Sequence, residues 1–272
     1  MGGSRYTGLY HKEALQSHRL RLISVDRPGR GSTTPCSVKH LSITKFSWCA
    51  LELMDKLGIA KFSLMADSCG ALFAAVVAVC APERVQGHLA LLSPWNLPSC
   101  PVASTKLKVA HRLPGAVVSL FGSFIPYLVA KSAKAGLHGF WGRQMRKKMS
   151  SAEFATLTSP CGRELMKQTT ALLMAEGGKQ AMINDMLLSL ETYGPSDVHY
   201  TAVTMPVIVY HGDDDKLVPL KCAVWMRDNM SCCELVVKAG GTHNLLLDRS
   251  FMAGVVLPKL QSDWENQACT NA

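Results

Sequence analysis

The chain has 272 residues, 48% of them hydrophobic, with a mean hydropathy of +0.11 and a formal net charge of +9. Such a length and apolar content exclude a disordered segment and fit one large α/β domain that buries roughly three quarters of its unfolded surface. The positive charge admits an anionic substrate, a membrane surface or nucleic acid as partner. The basic residues read as scattered, however, with one cluster at Arg143, Arg146, Lys147 and Lys148, and a solvated basic face is the plainer meaning.

In chain order, residues 1–19 begin Met-Gly-Gly-Ser-Arg-Tyr and lead into a helix expected around Tyr10 to His18. RLRLISVD (19–26) has the leucine and β-branched content of a strand and ends in DRPGRGST, where proline and glycines force a sharp loop. Residues 38–57 place Leu41, Phe46, Cys49, Leu53 and Leu57 at helical spacing, and Gly58 stops the run. A short apolar run, Phe62 to Ala66, then breaks at Asp67-Ser68-Cys69-Gly70 before a small-residue segment of helical length that ends at Pro82-Glu83-Arg84.

A strand that meets a helix through x-Ser-x-Gly has the form of a nucleophile elbow. The serine sits in a strained turn, so small residues are needed two positions either side, here Ala66 and Gly70. The same turn sets the Cys69 amide at a helix N-terminus, placed to stabilise an oxyanion.

Beyond the elbow, GHLALLSPW (87–95) reads as another buried strand. Residues 96–200 change character, with several amphipathic helical stretches, proline and glycine punctuation and no strand-like alternation, and are expected to form a helical lid. Within them LPGAVVSLFGSFIPYLVA (113–130) is the most apolar stretch; short for a membrane span and broken by Gly and Pro, it is expected to line a pocket. Strand character returns at MPVIVYHGDDD (205–215) and CELVVKAGG (233–241), separated by a helix near Ala223 to Met230; THNLLLD and a terminal helix to about Trp264 follow. The alternation predicts an α/β fold with a mostly parallel, doubly wound sheet. Its core comprises residues 1–95 and 201–272, with 96–200 inserted as the lid.

Sites in such sheets lie at the carboxyl ends of the strands. Ser68, Asp215 and His243 fall at three of those ends, in that order. A serine hydroxyl needs a base within hydrogen-bond reach, which His243 would supply, and the imidazole needs a buried carboxylate to fix its tautomer, which Asp215 would supply. Taken singly, His243 reads equally well as an ordinary loop histidine and Asp213-Asp214-Asp215 as a solvated acidic turn. Coming together in order, they point to a catalytic site. Ten cysteines show neither a CxxC pair nor a metal pattern, several lie in apolar runs as Cys80 does, and no charged-then-apolar leader is visible, so a reducing, cytoplasmic setting is expected.

With DRPGRGST (26–33), ADSCG (66–70), APERV (81–85), HGDDDKLVP (211–219) and GGTHN (240–244), the chain resembles the α/β-hydrolase fold superfamily over nearly its whole length, least of all in the lid. The resemblance implies Ser68 as nucleophile, Asp215 as acid with Asp214 as fallback, and His243 as base. A serine at position 68 speaks against the epoxide hydrolase and dehalogenase branches, which carry a carboxylate there. The resemblance also implies strands upstream of Met1, one of them lying between the strands that end at Asp26 and Ala66. It sets a second oxyanion donor at or beside Met1, so a shortened N-terminus is expected.

The leading reading is a serine hydrolase that cleaves an ester or thioester of a small hydrophobic molecule, in secondary metabolism, through an acyl-enzyme. An anionic carrier such as coenzyme A would suit the basic lid. An acyltransferase using the same triad, and a shortened non-catalytic relative, stand beside it. The expected partner is a small-molecule acyl substrate, with no nucleic acid, no stable membrane insertion, no cofactor and no metal.

Overall fold

A computed structural model of the chain describes residues 5–37, 42–134, 139–175, 177–192 and 199–270. Four strands form one sheet in the order β1 (Phe62–Asp67), β2 (Val85–Leu92), β3 (Val207–Gly212), β4 (Cys233–Lys238), and every neighbouring pair is parallel. Side chains alternate between the two faces of a strand, so each strand feeds two cores. Leu89, Leu91, Val207 and Val209 pack on one face, with helices α2 (Ile43–Lys56), α3 (Gly70–Cys80) and α10 (Leu220–Asn229). Ala90, Leu92, Ile208 and Tyr210 pack on the other, against α1 (Lys12–Ser17) and the C-terminal helices. There α11 (Arg249–Phe251) runs through a π-helical turn at Met252–Val256 into α12 (Leu257–Thr270). The sheet is doubly wound, as the alternation of elements predicts.

Between β2 and β3 lie α4 (Thr105–His111), α5 (Gly115–Lys134), α6 (Phe140–Arg146), α7 (Ser151–Thr158), α8 (Pro160–Met174) and α9 (Gly178–Ser189), with no strand among the described residues. The apolar stretch expected to line a pocket forms α5, but it turns its bulkiest side chains outward. Leu120, Phe121, Phe124 and Tyr127 are exposed, while Val118 and Ala130 face inward. Gly122 explains the close seating of that inner face. A Cβ there would stand 3.0 Å from Ile183 and 3.2 Å from the Met186 sulfur on α9.

One expected strand does not form. Residues 19–26, read as a strand, belong to no ladder. They run beside β1 with a cavity of about 330 Å³ between, lined by Leu22 and Val25 on one side and Met65 and Ala66 on the other. Phe46 and Phe73 border it from one helical layer, Met252 and Leu257 from the other. The segment has the residues of a strand but no adjacent edge to bond, and β-propensity without a partner is not enough.

Candidate active site

The elbow is built by β1, α3 and the end of β2. Ser68 has φ +50, a left-handed conformation rare for a residue with a side chain. Backbone bonds fix it there: its amide donates to the Leu92 carbonyl at 2.9 Å, and its own carbonyl accepts from Trp95 at 3.0 Å. The two flanking positions face each other across the turn: a Cβ on Gly70 would meet that of Ala66 at 3.7 Å, an ordinary contact. Cys69 is the N-cap of α3, so its amide belongs to the first-turn donors that a helix leaves without internal partners. Met1, the other oxyanion candidate, lies outside the described residues.

Asp215 and His243 come from two loops knitted together. The Asp214 amide donates to the Gly241 carbonyl at 2.9 Å, and the Gly240 amide to Asp213 Oδ1 at 2.7 Å. Gly212 permits this approach, because a Cβ there would stand 2.1 Å from the Gly241 oxygen. The three expected site residues are brought into one chain of hydrogen bonds. Ser68 Oγ lies 2.8 Å from His243 Nε2, and His243 Nδ1 lies 2.8 Å from Asp215 Oδ2. An ionised carboxylate only accepts, so Nδ1 carries the proton and Nε2 is left to accept from the serine hydroxyl. Asp214, the fallback acid, pairs with Lys216 instead.

Asp215 is buried, and burial alone would raise its pKa. Its bonds to His243 and to the amides of Leu217 and Val218, both at 2.8 Å, prevail and hold it below the usual carboxylate range. His211 Nε2 donates to the Val218 carbonyl at 2.8 Å and stands 3.4 Å from Asp215 Oδ2; burial lowers its pKa, so it remains the neutral imidazole.

Three acidic residues near the site escape sequence reasoning. Glu153, fully buried, completes a capping box with Ser150 at the start of α7, and its carboxylate also accepts from the Thr242 amide (3.2 Å) and hydroxyl (2.6 Å). It thereby ties the inserted helices to the residue before His243. Asp185 on α9 is gripped by Arg27 through two bonds of 2.9 and 2.7 Å and by Arg30 at 2.6 Å, so the DRPGRG loop is anchored to the insertion. Burial raises the Asp185 pKa, yet the two guanidiniums outweigh it and hold the carboxyl below its usual value.

The third, Asp67, directly precedes Ser68. Burial pushes its pKa up to about 6, and its Oδ1 is buried without a partner. An acid whose pKa is raised by folding holds its proton more tightly in the folded chain, so stability falls as pH rises from the unfolded carboxylate range through about 6. Asp67→Asn is therefore expected to remove a pH-dependent loss of up to about 3 kcal/mol between pH 4 and pH 8, read as urea midpoints at the two pH values. Equal pH dependence in the two proteins would contradict the burial of this carboxylate.

Among the described residues, no three His, Cys, Asp or Glu side chains gather to hold a metal ion. The nine described cysteines are free, with Cys69, Cys100 and Cys222 buried.

Residues 2–250 match the family model of the α/β hydrolase fold. No curated protein sequence matches the chain. Among solved structures, an alpha/beta hydrolase fold protein from Nakamurella multipartita superposes with a TM-score of 0.62 at 21% identity, over 96% of this chain and 89% of that one. An esterase from Exiguobacterium antarcticum gives 0.66 at 16% identity, over 94% and 87%. A meta-cleavage product hydrolase from Pseudomonas fluorescens gives 0.63 at 17% identity, over 98% and 87%. At such identities the likeness is one of fold.

Proposed function

The chain belongs to the α/β hydrolase fold family, and from its site we propose that it is a serine hydrolase acting on an ester or thioester of a small hydrophobic acyl compound. The observation that carries this reading is the unbroken relay from Ser68 through His243 to Asp215, with both links at 2.8 Å. Ser68 Oγ attacks the acyl carbonyl while its proton passes to His243 Nε2. The developing oxyanion accepts from the Cys69 amide at the head of α3. As the tetrahedral centre collapses, the bond to the leaving oxygen or sulfur breaks, and His243 returns the proton to it. A water then gives a proton to His243 Nε2 as it attacks the acyl-serine; the bond between the acyl carbon and Ser68 Oγ breaks, His243 returns the proton to Oγ, and the free acid leaves.

Asp215 stays ionised throughout and stabilises the imidazolium, consistent with its depressed pKa. The helices between β2 and β3 act in this reading as a lid, seated on the histidine loop through Glu153. The esterase among the structural neighbours favours ester cleavage by analogy of fold. Secondary metabolism and a coenzyme A leaving group fit a hydrophobic acyl substrate and a basic lid.

Active-site labelling with a fluorophosphonate tests the proposal. Purified protein is expected to take up the probe at Ser68, and Ser68→Ala to take up none. Folded protein that refuses the probe would assign the chain to the non-catalytic members of its family.

A further inference from the structure

The charge of this chain is not spread evenly. Nine lysines and arginines and not one acidic residue lie between residues 96 and 150, so the whole net charge of +9 resides in that segment. The structure folds the segment into α4, α5 and α6. On α5, Leu120, Phe121, Phe124 and Tyr127 recur at i, i+1, i+4 and i+7, which sets them on one face of the helix. Each is more than half exposed, as is Phe140 at the start of the neighbouring α6. Lys131 continues the same face one turn on and is exposed, and Arg143, Arg146, Lys147 and Lys148 stand exposed along and just beyond α6. An exposed apolar patch of this size marks a docking surface, and its surround is basic.

We propose that this face docks peripherally on an anionic lipid bilayer. Phe121, Phe124 and their neighbours would enter the headgroup–acyl boundary, while the lysines and arginines meet the lipid phosphates. Three features select a membrane over other anions. The patch is aliphatic and aromatic, and of its five side chains only Tyr127 carries a polar atom. The basic residues flank it, where long side chains reach a surface. The apolar pair Thr105–His111 and Gly115–Lys131 turns through 113°, which suits lying along an interface. No single helix among the described residues is long and apolar enough to cross a membrane. The docking face stands apart from the hydrolase reading, since none of these residues belongs to the Ser68–His243–Asp215 relay.

Flotation of the full chain with vesicles tests it. Wild type and Ser68→Ala are expected to float alike with vesicles containing phosphatidylserine, and far less with phosphatidylcholine alone or at high salt. Lys147→Gln with Lys148→Gln should weaken partitioning about thirtyfold, and Phe121→Ser with Phe124→Ser by about a hundredfold or more. Circular dichroism and thermal unfolding check that both pairs fold as the wild type does. Flotation indifferent to both pairs, or no flotation, overturns the proposal. So does a dimer in sedimentation that the phenylalanine pair dissolves while vesicles bind nothing, which would give the face to a second copy. Tighter binding to RNA than to vesicles would also overturn it.

Discussion

Ser68→Ala and His243→Ala are each expected to lower kcat/KM on a soluble acyl ester by on the order of 10⁴ to 10⁶, and the double variant to lose no more than the worse single one. The reason is geometric. Ser68 Oγ has His243 Nε2 as its proton acceptor at 2.8 Å, and a hydroxyl without that base is a poor nucleophile near neutral pH. Removing either member removes the same step, so the losses cannot add. Steady-state kinetics on the three variants checks this. A double variant much slower than either single one would mean that the two residues act separately. Whatever activity remains would rest on binding and on the Cys69 amide, which these substitutions leave in place.

Asp185→Ala is expected to destabilise the fold by about 3–5 kcal/mol. Arg30 is 4% exposed in its side chain and Arg27 19%, and both converge on one carboxylate that is itself 5% exposed. Alanine would leave one buried and one partly buried guanidinium group without it. For a chain of this size each kcal/mol moves Tm by about 2–4 °C, so a fall of roughly 10 °C or more should appear by calorimetry. Asp185→Asn, which keeps the shape and an acceptor oxygen, should lose less. A fall under about 2 °C for the alanine variant would mean that water takes the place of the carboxylate.

The candidate site was legible because its members fall in order at three strand ends, although His243 and Asp215 say little when taken singly. Ser68 lies between Ala66 and Gly70 at a strand-to-helix turn, and Asp215 and His243 follow strands whose β-branched runs are unmistakable. What supports the site was not legible, because its partners are distant in sequence. Ser150-x-x-Glu153 reads as a capping box, but nothing local indicates that Glu153 also holds Thr242, 89 residues away. Likewise Asp185 looks like any helix aspartate until folding brings Arg27 and Arg30 to it, and the raised pKa of Asp67 follows chiefly from its burial in the fold. Segment 19–26 was misread for the converse reason. Its composition is that of a strand, but a strand exists only where another edge meets it. For α5, apolarity was read as the lining of a pocket, whereas a helix has two sides and only one packs on α9.

The bond from Glu153 to Thr242 bears on how the site can be entered. A helix that covered the site and swung away at α7 would strip two hydrogen bonds from the residue beside His243 and bare a buried carboxylate. Exposing the serine by that route would at the same moment unseat its base. The arrangement is an interlock between α7 and the histidine loop: neither can leave the other without breaking both bonds.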